Sequence, residues 1–222
     1  MTSEHFRGVI IMEDKIKHGT TTVGIVCKDG VVLAADKRAS MGHMVSNKKE
    51  NKIHQVANYM AITTAGLVSD AQLFTRIIKA QLSLLKIRKN KEPTVKEAAN
   101  MLASMSYASI RRPSMVPSIV GFLLGGYDKT GYHLYEIGVD GSVSEADDFK
   151  TDGSGGSFAL GVLENNYTKD MTIEDGIKLA KDALNVSLQR DVYTGNGVDI
   201  FTVNEEGVKK VQSHKINTGL KN

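Results

Sequence analysis

The sequence of 222 residues contains no tryptophan, three prolines and a single cysteine, Cys27. One cysteine excludes an intrachain disulfide and leaves no second thiol for a metal site, which fits a reducing, cytoplasmic compartment. The six histidines lack the spacing of metal ligands, and no apolar run reaches the ~20 residues that span a bilayer. The net charge of +3 is too small to indicate nucleic-acid binding. Glycine-rich residues 153–156 lack the lysine of a phosphate-binding loop. We therefore expect no metal, cofactor, nucleic acid or membrane partner.

The first 19 residues do not have the pattern of a secretory signal. Their apolar run, Val9 to Met12, is short and is followed by Glu13 and Asp14. Two interpretations remain open: a disordered tail, or a propeptide that is cut off before Thr20. Residues 20–222 contain no linker or internal repeat, which predicts a single domain.

Residues 19–24 have the sequence Gly-Thr-Thr-Thr-Val-Gly. A cut between Gly19 and Thr20 would leave one residue with a hydroxyl and a free α-amine, which are a nucleophile and a base. Because the α-amine titrates near ~8, a useful fraction is unprotonated at neutral pH. The alternative is that the threonines only open a β-strand, a position that threonine favours.

The predicted elements come in the order strands, two helices, strands, two helices, strands. Strand patterns cover residues 21–27, 31–36, 52–57, 59–65, 118–127, 132–137, 142–146, 198–203 and 208–214. The polar residues 37–50 are expected to form a loop. Helices that arrive in pairs argue against a doubly wound parallel sheet. The order predicts an α+β fold, with two antiparallel sheets face to face and a helix layer outside each.

Capping signals and apolar spacing define the predicted helices. Ser69 with Gln72 and Thr94 with Glu97 have the spacing of capping boxes. Thr172 is expected to cap the last helix, which runs to about residue 190, and a short helix is expected over residues 158–164. The predicted buried face of the first helix consists of Leu73, Ile77, Ala80 and Leu84.

Several short motifs follow the Gly-Thr segment in a fixed order. They are Ala-Ala-Asp-Lys-Arg at residues 34–38, Asn-Lys-Ile at 51–53, Thr-Ala-Gly-Leu at 64–67, Gly-Ser-Gly-Gly at 153–156 and Gln-Arg-Asp at 189–191. Together they resemble the proteasome β subunits, the archaeal type most of all, from Thr20 to the end of the chain. The resemblance implies the four-layer α-β-β-α sandwich of N-terminal nucleophile hydrolases. It also implies a threonine endopeptidase that degrades unfolded polypeptides.

The resemblance implies roles for individual residues. Thr20 is the expected nucleophile, with its own amine as base. Lys52 lies beside it, and its positive charge would lower the pKa of the hydroxyl and the amine. Asp36 pairs with Lys52. Gly66 supplies the backbone N–H that stabilises the oxyanion.

A second group is implied to order the Thr20 amine and a water. It consists of Ser154 and Asp191, with Thr194 where the family usually has serine. The hydroxyl is kept at Thr194, but the additional methyl group could shift its hydrogen bond.

The resemblance also implies a substrate cleft. An extended peptide would pair its backbone with Ser40, Gly66 and Val68. The first specificity pocket is expected to consist of Ala39, Glu50, His54, Thr64 and Val68. This mixture of small, polar and charged residues does not indicate one cleavage preference.

Two other interpretations of the resemblance are weighed. One is a β-type subunit that is proteolytically silent and only builds the ring; the presence of Thr20, Asp36, Lys52, Ser154 and Asp191 argues against it. The other is the simpler bacterial two-component relative. The second helix pair and the long C-terminal region fit the archaeal type better.

Assembly and activation are implied as well. The resemblance implies heptameric β rings between rings of α subunits, fed indirectly by an ATP-dependent unfoldase. Thr20 is expected to cleave the bond after Gly19 and so to release the propeptide, residues 1–19. While that bond is intact the Thr20 nitrogen is an amide and no base, so the chain as given is expected to be an inactive precursor. We expect its leader to lie along the cleft bounded by Ser40, Gly66 and Val68.

Overall fold

The structure, a computed structural model that describes residues 19–216, consists of two antiparallel sheets between two pairs of helices. The elements in chain order are β1 Thr22–Cys27, β2 Gly30–Asp36, β3 Ala39–Met41, β4 Met44–Asn47, β5 Ile53–Ala57, β6 Met60–Gly66, α1 Val68–Lys89, α2 Val95–Ile110, β7 Val120–Asp128, β8 Gly131–Ile137, β9 Val143–Ala146, β10 Phe149–Asp152, α3 Gly156–Asn166, α4 Ile173–Arg190, β11 Gly197–Asn204 and β12 Gly207–Lys215. The first sheet has the strand order β10-β1-β2-β11-β12 and the second β5-β6-β7-β8-β9, while β3 and β4 form a separate hairpin. The α+β sandwich expected from the sequence is confirmed.

Three apolar cores correspond to the three interfaces of four stacked layers. Alternate residues of a strand point to opposite faces of its sheet, so a doubly covered strand contributes to two cores. Phe122 and Leu124 of β7 pack with α1 and α2, whereas Leu123 between them packs with Leu33 of β2 in the core between the sheets. The third core joins β1, β2 and β11 to α3 and α4. The helices therefore form the outer layers.

The helix signals were right in two cases and wrong in one. Thr94 and Glu97 form the predicted capping box at α2, and Thr172 accepts a hydrogen bond from the Asp175 N–H at the start of α4. Helix α1 begins at Val68 after Leu67, without a side-chain cap, so the capping box predicted at Ser69 is wrong.

The predicted buried face of α1 is also wrong, by one residue. Leu73, Ile77 and Leu84 are exposed, and the buried residues are instead Ala71, Phe74, Thr75, Ile78 and Leu82. Apolar residues stand in adjacent pairs along this helix, so two neighbouring stripes fit the helical period equally well. Only contact with β5 and β6 decides which stripe is covered.

Three strands, β3, β4 and β10, were missed by the sequence analysis. The predicted loop at residues 37–50 contains the hairpin β3–β4, whose residues are mostly exposed and therefore show no apolar alternation. Strand β10 pairs with β1 at the edge of the first sheet, and after Phe149 its residues are polar and only partly buried. No helix in residues 19–216 is long and apolar enough to cross a bilayer.

The ends of several elements converge at one edge of the sandwich. Because β1 and β2 are antiparallel, the start of β1 lies against the end of β2, and Thr22 pairs with Ala35. The end of β10 lies on the other side of β1, where Asp152 pairs with Thr22. Thr20, just before β1, is thereby brought beside Asp36 and the loop that follows Asp152.

Candidate active site

The hydroxyl of Thr20 lies in a buried cluster with Lys52 and Asp36. It donates a hydrogen bond to Oδ1 of Asp36 at 2.9 Å, and the Lys52 Nζ donates to Thr20 Oγ1. Nζ of Lys52 is also 2.6 Å from Asp36 Oδ1. The three residues are 3%, 6% and 1% exposed in the order Thr20, Lys52 and Asp36. The structure therefore brings together the nucleophile, lysine and acid expected from the sequence.

Asp36 is the centre of this cluster. Its Oδ1 also accepts the Thr21 N–H at 3.0 Å, and its Oδ2 accepts the N–H groups of Arg38 at 2.9 Å and Gly195 at 3.0 Å. Donors from main chain and side chain therefore stabilise negative charge on both oxygens. The same contacts fix the carboxylate rigidly relative to Thr20.

Burial lowers the pKa of the Lys52 ammonium, although the adjacent Asp36 acts in the opposite direction. Removing an ammonium from water disfavours its charged form, and this effect outweighs the attraction of the carboxylate. The Lys52 ammonium therefore releases its proton at a lower pH than a solvated lysine does. Because Nζ of Lys52 contacts the Thr20 hydroxyl directly, a proton can pass between the two groups without an intervening water.

A second carboxylate, Asp191, follows the end of α4 and has hydroxyl donors. Its Oδ2 accepts the Ser154 hydroxyl at 2.6 Å and the Thr194 hydroxyl at 2.5 Å. The three residues expected to form one group thus share a single carboxylate oxygen. The extra methyl of Thr194 does not prevent its hydrogen bond to Asp191.

The main chain around Thr20 is held by the loop after β10. The Thr20 carbonyl accepts the Gly155 N–H at 3.3 Å and lies 3.4 Å from Oγ of Ser154. Gly153 in this loop has a φ of +93°, a left-handed conformation that favours glycine. The glycine-rich segment therefore binds the backbone of Thr20.

A cleft opens beside Thr20 and contains every residue expected to bind substrate. Its lining includes Gly19, Thr20, Ala39, Ser40, Glu50, Lys52, His54, Thr64, Gly66 and Val68. Gly66 ends β6 with a φ of +138°, and a Cβ there would lie 2.1 Å from the carbonyl oxygen of Ile119. Glycine is therefore required by the fold at the position where an oxyanion donor is expected.

The charges of the cleft are unevenly distributed. Glu50 accepts a hydrogen bond from the Asn47 side chain at 2.7 Å. Burial lowers the pKa of His54, and the nearby Lys79 lowers it further, which favours the neutral imidazole at pH 7. Lys52 is paired with Asp36, so the other charged residues of the lining are Glu50 and Arg38.

Comparison with known proteins agrees with this geometry. A family model described as "Proteasome subunit" matches residues 16–203. "Proteasome subunit beta" of Archaeoglobus profundus is 40% identical over 205 residues, 92% of this chain and 94% of the relative. That of Ferroglobus placidus is 42% identical over 196 residues, 88% and 91%. "Proteasome subunit beta 2" of Pyrococcus furiosus is 40% identical over 210 residues, 95% and 98%.

The chain belongs to the proteasome subunit family. Its relatives are named as β subunits, and it is a β-type subunit of the proteasome core. The α+β sandwich described above is the fold of this family, and membership implies a peptidase. The resemblance found in the sequence motifs is therefore confirmed.

Sequence reasoning missed several residues of this β subunit's site. Gly155 and Gly195 act through backbone N–H groups, and Thr21 was treated only as part of a motif. Gln72 and Ala71 of α1 join the cleft lining. None of these residues carries a local chemical signal, because each acts through a partner that is distant in sequence.

Proposed function

We propose that this β subunit is a threonine endopeptidase that becomes active by cleaving its own chain between Gly19 and Thr20. The observation that carries the proposal is the contact of Lys52 and Asp36 with the buried Thr20 hydroxyl. A hydroxyl is a weak nucleophile until a base removes its proton. Lys52 contacts the hydroxyl directly and has a lowered pKa, so it becomes such a base once its ammonium group has lost a proton.

Self-cleavage follows from the position of the hydroxyl. Thr20 Oγ1 attacks the carbonyl carbon of Gly19 as its proton passes to Lys52. The C–N bond then breaks, the Thr20 nitrogen takes up a proton, and Gly19 is left as an ester on Thr20. Water hydrolyses this ester, which releases residues 1–19 and leaves the free α-amine of Thr20.

The shape of the site explains a glycine at the cleaved position. Gly19 is buried, and a Cβ there would lie 2.0 Å from Cβ of Tyr193 and 2.5 Å from Oγ of Ser154. A larger residue would displace the carbonyl from the nucleophile. Residues 1–18, which were expected to cover the cleft, lie outside the described part of the chain.

After cleavage the same site would hydrolyse peptides. The α-amine of Thr20 becomes a base next to the hydroxyl, and the Ser154–Asp191–Thr194 group orders it and its water. The Gly66 N–H is proposed to stabilise the oxyanion. A substrate strand would pair with Ser40, Gly66 and Val68, and its side chain would enter the pocket of Ala39, Glu50, His54, Thr64 and Val68.

We further propose assembly into heptameric β rings between α rings, in the cytoplasm, where an ATP-dependent unfoldase supplies unfolded polypeptide. Helix α1 supports burial against other subunits, because it exposes apolar side chains along one stripe. These are Leu73 at 45%, Ile77 at 37%, Leu84 at 45% and Ile87 at 76% exposed. Exposed apolar surface of this kind marks interaction sites.

Intact mass spectrometry of assembled particles tests the proposal. The parent chain should begin at Thr20, and Thr20→Ala should keep residues 1–19 and show no peptide hydrolysis. Thr22→Ala is the matched control: this threonine lies in the same motif but bonds only the Asp152 carbonyl, at 3.4 Å. An uncut, inactive parent chain in complete particles would instead support the silent ring subunit.

A further inference from the structure

A chain of hydroxyl groups links Thr21, the residue after the nucleophile, to Asp191. Thr21 is fully buried, and its Oγ1 lies 2.6 Å from Oγ1 of Thr194. Thr194 Oγ1 lies 2.5 Å from Asp191 Oδ2. These contacts join residues that are 173 positions apart in sequence, Thr21 and Thr194.

The direction of the protons in this chain follows from what each group can donate. An ionised carboxylate only accepts, so Thr194 gives its single proton to Asp191. Its oxygen then has only lone pairs to offer, and Thr21 must be the donor in the bond between the two threonines. Donation from Thr21 also polarises the Thr194 hydroxyl and strengthens its bond to Asp191.

The backbone of Thr21 is tied to the other carboxylate. Its N–H donates to Asp36 Oδ1 at 3.0 Å. The carbonyl on the other side of the same peptide group, that of Thr20, accepts the Gly155 N–H at 3.3 Å. The peptide group that joins the nucleophile to Thr21 is thus held at both of its polar atoms.

We propose that the Thr21 hydroxyl is a positioning group for the nucleophile, and that it joins the Asp36 and Asp191 sides of the site through Thr194. This inference rests on the proposed function of Thr20. Thr21 touches no reacting atom. It fixes the peptide plane from which the Thr20 hydroxyl and nitrogen both project.

Gly155 closes the space around the hydroxyl chain. A Cβ on this glycine would lie 2.0 Å from Thr21 Oγ1, 3.0 Å from Thr194 Oγ1 and 3.1 Å from Asp191 Oδ2. The backbone therefore lies directly against the oxygens and leaves no space there for a water to replace a lost partner. Loss of the Thr21 hydroxyl would have to be absorbed by movement of the chain.

The first test compares hydrolysis of a fluorogenic peptide by assembled, cleaved particles. Thr21→Val keeps the branched shape but removes the proton donor, and we expect kcat to fall about 10-fold with KM changed less than about 2-fold, as expected for a misaligned nucleophile. Thr21→Ser keeps a donor and should restore most of kcat. Thr22→Val, at the neighbouring buried threonine, should match the parent chain. Parent-like kcat in Thr21→Val, or no recovery in Thr21→Ser, would overturn the proposal.

The second test needs no activity. Thermal unfolding of the full chain in the Thr20→Ala background is measured for Thr21→Val, Thr194→Val and the double variant. The two substitutions should be strongly non-additive, because either one alone removes the same bond. Additive shifts in Tm would overturn the link between the hydroxyls. If the shifts in Tm are non-additive but the parent particles hydrolyse no peptide, the link between the hydroxyls is supported. In that case the proposed function of Thr20 is wrong.

Discussion

Asp36 and Asp191 lie on two sides of the Thr20–Thr21 peptide group, and the donors around them differ in kind. Asp36 is 1% exposed and accepts from an ammonium group, a hydroxyl and three main-chain N–H groups. Asp191 is only half-buried and accepts at Oδ2 from the neutral hydroxyls of Ser154 and Thr194. Each site is centred on a carboxylate, but the groups that surround the two carboxylates differ.

This difference indicates an electrostatic role for the Asp36 side of the site and a positional role for the Asp191 side. At Asp36 the Lys52 ammonium and the proposed nucleophile share one oxygen, so we expect this side to control the proton of Thr20. At Asp191 the partners are uncharged and hold the backbone of the loop and of residues 20 and 21 in place. We therefore expect substitutions near Asp36 to affect the chemical step most, and those near Asp191 to act through position.

The largest effect is expected at Lys52. Lys52→Ala removes the group that contacts the Thr20 hydroxyl and leaves Asp36 without its cation, so peptide hydrolysis should fall by about two to four orders of magnitude. Lys52→Arg should not restore it, because a guanidinium is larger and planar and stays protonated. Turnover by purified particles is the measurement, and intact mass gives the first residue of each chain, because loss of Lys52 is also expected to prevent self-cleavage. Turnover within about 10-fold of the parent in Lys52→Ala would remove Lys52 from the mechanism.

An intermediate effect is expected at Gly155. Its φ of −86° suits alanine, so Gly155→Ala acts only through its Cβ, 2.0 Å from Thr21 Oγ1. Displacement of the hydroxyl chain should lower kcat by about 10- to 100-fold. Gly161→Ala is the matched control: it lies in α3, the helix that Gly155 precedes, and nothing lies within 4 Å of its Cβ. A larger loss of kcat in Gly155→Ala than in Lys52→Ala would contradict the expectation that substitutions near Asp36 affect the chemical step most.

The smallest effect on turnover is expected at Asp152, a third carboxylate whose hydrogen bond, at 2.7 Å, comes from the Gly153 N–H. Burial raises its pKa to about 6 from 3.8, and Glu136 adds to the rise. The folded state then binds the proton more tightly than the unfolded state, so this group's contribution to stability falls as pH rises from about 4 to about 6. Asp152→Asn should therefore stabilise the chain more at pH 8 than at pH 4, by about 1–2 kcal/mol.

Urea unfolding of the full chain at the two pH values measures this difference. Asp182→Asn, at an exposed carboxylate of α4, should show no comparable trend. An equal effect of Asp152→Asn at both pH values would show that the carboxylate is not destabilised by its surroundings.

The fold was predictable because it depends on local patterns. The strand patterns at residues 21–27 and 31–36 and the capping box at Thr94 each depend on a few neighbouring residues. The order of these elements then indicated two sheets between helix layers. The buried face of α1 was not predictable, because two neighbouring apolar stripes fit the helical period and only contact with the sheet decides which one is covered.

The candidate site was likewise predictable only in part. Thr20, Asp36 and Lys52 were found through short motifs and their order, and their roles remain predictions. Thr21 was missed because its partner Thr194 is 173 positions away in sequence. The hydroxyl of a threonine at the start of a strand does not by itself indicate a site residue. Gly155 was missed as a site residue because its function depends on a close approach that only the fold shows.

The position of a covalent adduct tests the central claim most directly. Assembled particles are treated with a β-lactone, which acylates activated hydroxyl groups, and the labelled peptide is located by mass spectrometry. We predict a single adduct on Thr20 in a chain that begins at Thr20, and none in Lys52→Ala over the same time. Labelling of another residue, or of Thr20 at the parent rate in Lys52→Ala, would contradict it.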